Sequence, residues 1–447
     1  MPGSRAVRLA LAATLVVAAA ANGDAARPSA SLPVEELVLD NGLRLLLAPR
    51  PGPGLVAAAW AVRRGSGDDL PGRSGTAHLL EHLLHNGSTS VTASDYARHY
   101  TEAGAVGIDA RTQRDLTAYF LRLPPERLEL WFWLESDRLL HPSFGSVERE
   151  LRLIAEERRQ RLESTPLGPV EEELQRRFWG AHPYGESAGG AAEDLARLSR
   201  ADAEAFFAAS YGASEITVVL VGDFAPDSAR EMARRYFGRL PRGRGGGTTA
   251  AGAAGTPSST TTAFGSGTID RSCACPPQAQ VLYPTVAASD PDRPALDVLA
   301  GVLSGRSGRL QRALVDRGLA FAAGASHDAG RRGGVFAVEV EARGNAAPQA
   351  LVDAWDAEVA RLLAAPPTAE EMERVRNQVT TNAWRGMREP LDLALRLLVA
   401  EAQDGWRSLE SWPRAVLAVA PADVQRVAQR YLAADRRLVA RITRSAR

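Results

Sequence analysis

The stretch HLLEHLLH, residues 78 to 85, holds three of the chain's seven histidines. Placed on a helix with His78 at zero, His82 falls at about 40°, His85 at about −20° and Glu81 at about −60°. Leu79, Leu80, Leu83 and Leu84 take the opposite side. Two imidazoles four residues apart can reach one metal ion, and a carboxylate just before the second can stand beside it. Neutral imidazoles hold Zn2+ while leaving a position for water. The metal lowers the pKa of that water and a carboxylate takes its proton. The chemistry such residues would perform is metal-assisted hydrolysis. The same pattern suits an amphipathic helix whose solvated face carries His and Glu, and His85 fits either a third ligand or a surface residue.

A second segment, VERELRLIAEERRQRLE from residue 147, also has helical periodicity. With Leu153 at zero and Ile154 at about 100°, Glu157 falls at about 40° and Glu150 at about 60°, both on the apolar stripe, whereas Glu156 falls at about −60°. A carboxylate in an apolar stripe is costly unless paired or bound to metal. Alternatively the buried stripe lies elsewhere, because Leu151 and Leu162 do not line up with Leu153.

These helices need a scaffold. LVLDNGLRLLLAP (37 to 49) reads as two strands around an Asn-Gly turn, and LVAAAWAVRRGS and EITVVLVGDF read as further strands. In the later half QVLYPTVA and GVFAVEVEAR are strand-like. PALDVLAGVLSG, SGRLQRALVDRG and AEEMERVRNQVTTNAWRGM are helix-like. Residues 241 to 272 are rich in Gly, Ser, Thr and Ala and read as a linker between two halves. The expected division is therefore 32–240, a linker at 241–272, and 273–447.

The 447 residues carry 53 basic and 53 acidic side chains, which leaves no electrostatic footprint for nucleic acid. Arg5 and Arg8 precede an apolar run from Leu9 to Ala21, the form of a signal peptide over residues 1–25 with cleavage after Ala21 or Ala25. The run is too short to span a bilayer, and no later run is long enough. The expectation is a secreted or periplasmic chain without an integral membrane segment in its mature form. Cys273 and Cys275 are separated by one residue, a poor spacing for an unstrained disulfide. They read as a loop pair without a role.

In company, these residues resemble a known family. HLLEH is the H-x-x-E-H of the inverzincins. GRSGTAHLLEHLLHNGS, DLTAYFLRLPPERLELWFWLESDR, EERRQRLESTPLG, HPYGESAGG, YGASEITVVLVGDF and SGRSGRLQRALVDRGLAF are similar, in order, to the landmarks of the insulinase-like M16 metallopeptidases. The resemblance is to the smaller bacterial type related to mitochondrial processing peptidase. It implies one Zn2+ per chain, held by His78, His82 and Glu157, the last lying 75 residues after His82. It implies Glu81 as general base and Glu150, seven residues before Glu157, as the glutamate that supports the site. His85 falls where the family usually has an apolar residue.

The implied fold is α+β: two homologous domains, each an antiparallel sheet packed with helices, only the first carrying zinc. The implied activity is endopeptidase cleavage of peptides or unstructured segments that add as a strand to a sheet edge. The matching edge is 105–115, with Asp109 and Ala110 as substrate-binding residues. Asp109 stands where the family often has Asn. Relatives use an Arg and a Tyr from a zinc-free domain on the substrate carbonyl. Here Arg317 is the nearest Arg and Phe321 replaces the Tyr. The implied partner is a second subunit, in a homodimer or in a heterodimer with a zinc-lacking M16-like chain. The alternative is a non-catalytic subunit of such a complex.

Overall fold

A computed structural model describes residues 32–52, 54–243 and 264–445. The signal-peptide expectation at 1–25 and most of the expected linker lie outside the described residues. Two sheets organise the chain. The first is built from β1 (Glu35–Val38), β2 (Arg44–Pro49), β3 (Val56–Val62), β4 (Val106–Thr112), β5 (Thr117–Leu123) and β6 (Ile216–Gly222), in the order β1-β2-β6-β3-β5-β4. The second takes β7 (Gly267–Cys273), β8 (Gln278–Thr285), β9 (Ala320–Gly330), β10 (Gly333–Ala342) and β11 (Leu438–Arg444), in the order β7-β11-β8-β10-β9. Pairing is antiparallel except for β2 with β6 and β7 with β11. The Asn-Gly turn lies where expected, with Gly42 at φ 89°.

Alternation along each strand explains the layers. Leu45, Leu47, Trp60, Tyr119, Leu121, Val218 and Leu220 face one core, shared with the first half's own helices. Those helices include α1 (Thr76–His85) and α2 (Leu128–Leu140), which are followed by α3 (Val147–Arg158) and α4 (Gly168–Trp179). The opposite side chains, Leu46, Ala57, Ala59, Ala61, Phe120 and Val219 among them, form a separate core with Leu393, Ala394, Leu397 and Leu398. These last four belong to α5 (Pro390–Gln403), a helix of the second half. The small alanines of β3 let that helix approach the sheet closely.

The exchange is reciprocal. Val170, Leu174, Phe178 and Trp179 of α4 pack with Ile269, Leu438, Ala440 and Ile442 of the second sheet. Each half thus lends a helix to the back of the other's sheet, and Pro33–Arg447 forms one compact unit. A strand that is apolar on both faces, such as β3 or β6, needs this second cover.

Three readings shift. Residues 267–272, expected in the linker, belong to β7, because backbone pairing with β11 satisfies a stretch poor in large apolar side chains. The helix expected in SGRLQRALVDRG is short: it spans 309–315, and its Gln311–Val315 part is π-helical. Cys273 and Cys275 are not a pair without a role: they are joined as a disulfide across a Cα separation of 5.2 Å, with Cys273 buried at the end of β7.

Candidate metal centre

The helix α1 carries the H-x-x-E-H residues and is held at both ends. Asp69 accepts hydrogen bonds from the backbone N–H of Gly75 at 2.8 Å and of Ala77 at 2.9 Å, so a carboxylate from outside the helix caps its first turn. Gly75 has φ 91°, and a Cβ there would meet Leu195 Cδ2 at 2.7 Å, so the position requires glycine. At the other end Arg138 of α2 donates to the Leu84 carbonyl at 3.4 Å. Arg138 is paired in turn with buried Glu135, which also accepts from Trp60 Nε1 at 2.6 Å and from the Tyr100 hydroxyl.

α3 crosses α1 and brings its carboxylates opposite the imidazoles. His78 Nε2 and His82 Nε2 lie 3.2 Å apart. Glu157 oxygens lie 3.9 Å from His78 Nε2 and 3.7 Å from His82 Nε2. Ligands at about 2.0–2.2 Å from a tetrahedral zinc stand about 3.3–3.6 Å from one another. The observed separations lie close to that range, so the three side chains fit Zn2+ with a fourth position left open. Among the described residues this is the only group of three or more His, Cys, Asp or Glu whose ligand atoms converge. Burial, helped by His82 and Arg161, pushes His78 down to about 3. It is therefore neutral, the form that binds metal.

The other sequence-predicted residues surround this cluster. Glu150 is buried and its Oε2 lies 3.3 Å from His82 Nδ1, which fixes that ring from its far side. Burial alone would raise the Glu150 carboxyl, but Arg149, Asn86 and His82 outweigh it and hold the pKa low. Glu81 is buried and its pKa is raised by that burial, against the hydrogen bond it accepts from the Thr112 hydroxyl. Leu153, placed in the apolar stripe by helical angle, is 48% exposed and lines the cavity; the buried positions of α3 are Val147, Glu150, Ile154 and Arg158. The carboxylate pair thus faces the metal cavity rather than a core.

A cavity of about 550 Å3 opens over the cluster and is bordered by Asp109, Ala110, Arg111 and Thr112 of β4. β4 is the edge of its sheet and is largely exposed. Asp109 accepts from the Ala110 N–H at 2.9 Å. His85 lines the same cavity without joining the converging group. Arg317 is not brought there: it is exposed in the turn before β9, outside the cavity lining, and Phe321 is 69% exposed on β9.

Sequence reasoning missed Thr112, Asp69 and the Glu135–Arg138 pair. Thr112 had a signal, since it lies on the expected edge strand at a position facing α1. Asp69 had none, because its partners lie six and eight residues on, outside any local capping pattern.

Residues 47–191 match the model described as insulinase (peptidase family M16), and residues 197–379 match the peptidase M16 inactive domain. The chain is 26% identical over 209 residues to the zinc protease PqqE of Helicobacter pylori, covering 46% of this chain and 47% of that one. It is 26% identical over 212 residues to the mitochondrial-processing peptidase subunit beta of Blastocladiella emersonii, covering 46% and 44%. The matched region thus spans about half the length of these curated relatives. In fold, the chain is similar to a protease from Helicobacter pylori with a TM-score of 0.81 at 22% identity, over 92% of this chain and all of the other. It is also similar to pitrilysin, with a TM-score of 0.76 at 18% identity, over 93% and 45%. With the two M16 models adjacent and in order, two helix-packed sheets and this set of relatives, the chain belongs to peptidase family M16.

Proposed function

We propose that the chain is an exported zinc endopeptidase, with one Zn2+ per chain, that hydrolyses peptides or unstructured polypeptide segments. The observation that carries this reading is the placement of an exposed edge strand, β4, beside a His2Glu cluster that has a buried carboxylate at its rim. When bound, zinc acidifies water and polarises the scissile carbonyl. β4 presents unpaired backbone groups, so an extended peptide binds there as an additional strand, with Asp109 and Ala110 at its contact. Folded proteins have no free strand to offer, which restricts substrates to flexible segments.

Glu81 is placed to take the proton of the attacking water on its carboxylate and to pass it to the leaving amine nitrogen. Its burial favours the protonated form that the second step requires, and the Thr112 hydroxyl fixes its orientation. Glu150 acts through His82, holding the ring nitrogen away from the metal position.

A second subunit completes this site. The reading is favoured by the position of Arg317 and Phe321, which lie away from the cavity, so that among the described residues no second-half side chain lines it. The partner is a second copy or a zinc-lacking M16-like chain. Export is supported by the residue pattern of positions 1–25 and by the fold shared with the periplasmic protease PqqL of Escherichia coli, at a TM-score of 0.72. Among the described residues no helix is long and apolar enough to cross a membrane.

The test uses the zinc-loaded chain and a pool of unstructured peptides read by mass spectrometry. Cleavage is expected, and Glu81→Gln is expected to lower it by about 10²–10⁴-fold while zinc stays bound. Cleavage that survives in Glu81→Gln would reject Glu81 as the base. Inactivity of the lone chain, relieved by adding a zinc-lacking M16-like subunit, would assign the heterodimer.

A further inference from the structure

The cavity over the metal cluster has a neighbour on the other side of the edge strand. This second cavity, of about 470 Å3, lies between the end of β4, the back of β5, α5 and the helix Ser408–Ala418. Arg111 borders both cavities. The floor of the second is apolar, formed by Leu116, Ala118, Leu395, Val399 and Trp412. Three guanidiniums line it, those of Arg111, Arg293 and Arg396, against a single carboxylate, Asp392. Arg293 is engaged by Asp297 at 3.7 Å. Arg111 and Arg396 are exposed, and no hydrogen bond or ion pair holds either of them among the described residues.

Register decides what such a cavity would meet. Across the β4–β5 ladder Arg111 faces Ala118 and Asp109 faces Phe120, and both partners belong to the core behind the sheet. Ala110 and Thr112 face Tyr119 and Thr117, and Thr112 reaches Glu81 on the metal side. Side chains on a strand alternate between faces. A peptide paired along β4 therefore sends every other side chain to the back, toward Arg111 and the cavity. The residue served by Arg111 lies roughly one or two positions from the bond held at the metal cluster. Asp109, two residues away and paired with Phe120, lines the metal cavity but not this one.

We propose that this second cavity is a specificity pocket for a glutamate side chain of the bound peptide. The carboxylate meets Arg111 and Arg396, and the methylenes lie on the apolar floor. The proposal rests on the reading of β4 as the strand that receives substrate.

The experiment uses dansyl-labelled peptides capped at both ends, so that one test residue supplies the only carboxylate. Glu, Gln or Lys is walked through the sequence, and binding to the zinc-loaded full chain carrying Glu81→Gln is followed by anisotropy. At one register position Glu is expected to bind up to about tenfold more tightly than Gln, the scale of two exposed ion pairs, and the preference shrinks with added salt. Arg396→Glu in the same background is expected to invert the preference toward Lys, and Arg396→Gln to weaken it. A Glu/Gln ratio near one at every position overturns the pocket, as does a ratio that Arg396→Glu leaves unchanged. Peptides that bind with this preference but are not cut by the wild-type chain, either alone or with a zinc-lacking M16-like subunit added, would reject the hydrolysis and retain the pocket.

Discussion

Replacing Glu135 by Gln tests how α1, the helix of the candidate metal centre, is held. Glu135 is 1% exposed and accepts from Trp60 Nε1, the Tyr100 hydroxyl and the Arg138 guanidinium. Gln keeps the shape but removes the charge, and its amide NH2 would face one of four donors, the Tyr96 hydroxyl at 3.4 Å being the fourth. Arg138 is then left as a buried cation whose remaining contacts are the faces of Trp60, Tyr96 and Tyr119 and a 3.4 Å bond to the Leu84 carbonyl. Breaking one side of a buried pair costs about 3–5 kcal/mol. With a guanidinium m value of about 5 kcal/mol per M, the unfolding midpoint falls by roughly 0.6–1 M. Tryptophan fluorescence follows the transition, since Trp60 is itself a partner. The double variant Glu135→Gln with Arg138→Met removes the orphaned cation and is expected to recover part of the loss. A midpoint shift below about 0.2 M in the single variant, or a double variant that loses the sum of both singles, would refute the reasoning.

Three other outcomes follow from the same geometry. Glu150→Gln is expected to weaken zinc binding by about 10–100-fold, measured by competition with a chelator, because His82 loses the carboxylate that orients its ring. Leu397→Ala, at a fully buried contact between α5 and the first sheet, is expected to cost about 2–5 kcal/mol; hydrogen exchange should rise in β3 and β6, and a change confined to residues after 264 would deny the helix exchange. Glu371 would be raised by burial, but Arg309, the Thr368 N–H and Arg312 hold it down to about 2. Its folded value lies below the ordinary 4.5, so its stabilisation is present above pH 4.5 and is lost as pH falls through about 2. The stability gap between wild type and Glu371→Gln should therefore be constant above pH 5 and close toward pH 2, and a pH-independent gap would count against the pairing.

Much of the local structure was legible because it is periodic. The short apolar run in LRLLLAP and the Asn-Gly turn fix β2 and its entry, and the leucine face of HLLEHLLH fixes α1 with its imidazoles on the polar side. Glu150 and Glu157 emerged from helical angle, although the stripe that selected them was misread: Leu153 faces the metal cavity and not a core. Helical angle places two side chains on one side of a helix but does not reveal what that side meets.

What the sequence by itself determined is the set of reactive side chains and their local spacing, since both depend only on residues within a few turns. Tertiary structure alone decided the rest. It set α3 across α1, so that carboxylates about 70 residues away close on two imidazoles. It placed Asp69 at the head of α1 and Arg138 at its foot. It crossed α4 and α5 between the halves, so that each sheet is sealed by a helix far off in the chain. Apolar burial has no direction along the sequence; which surfaces meet is settled only when the whole chain packs.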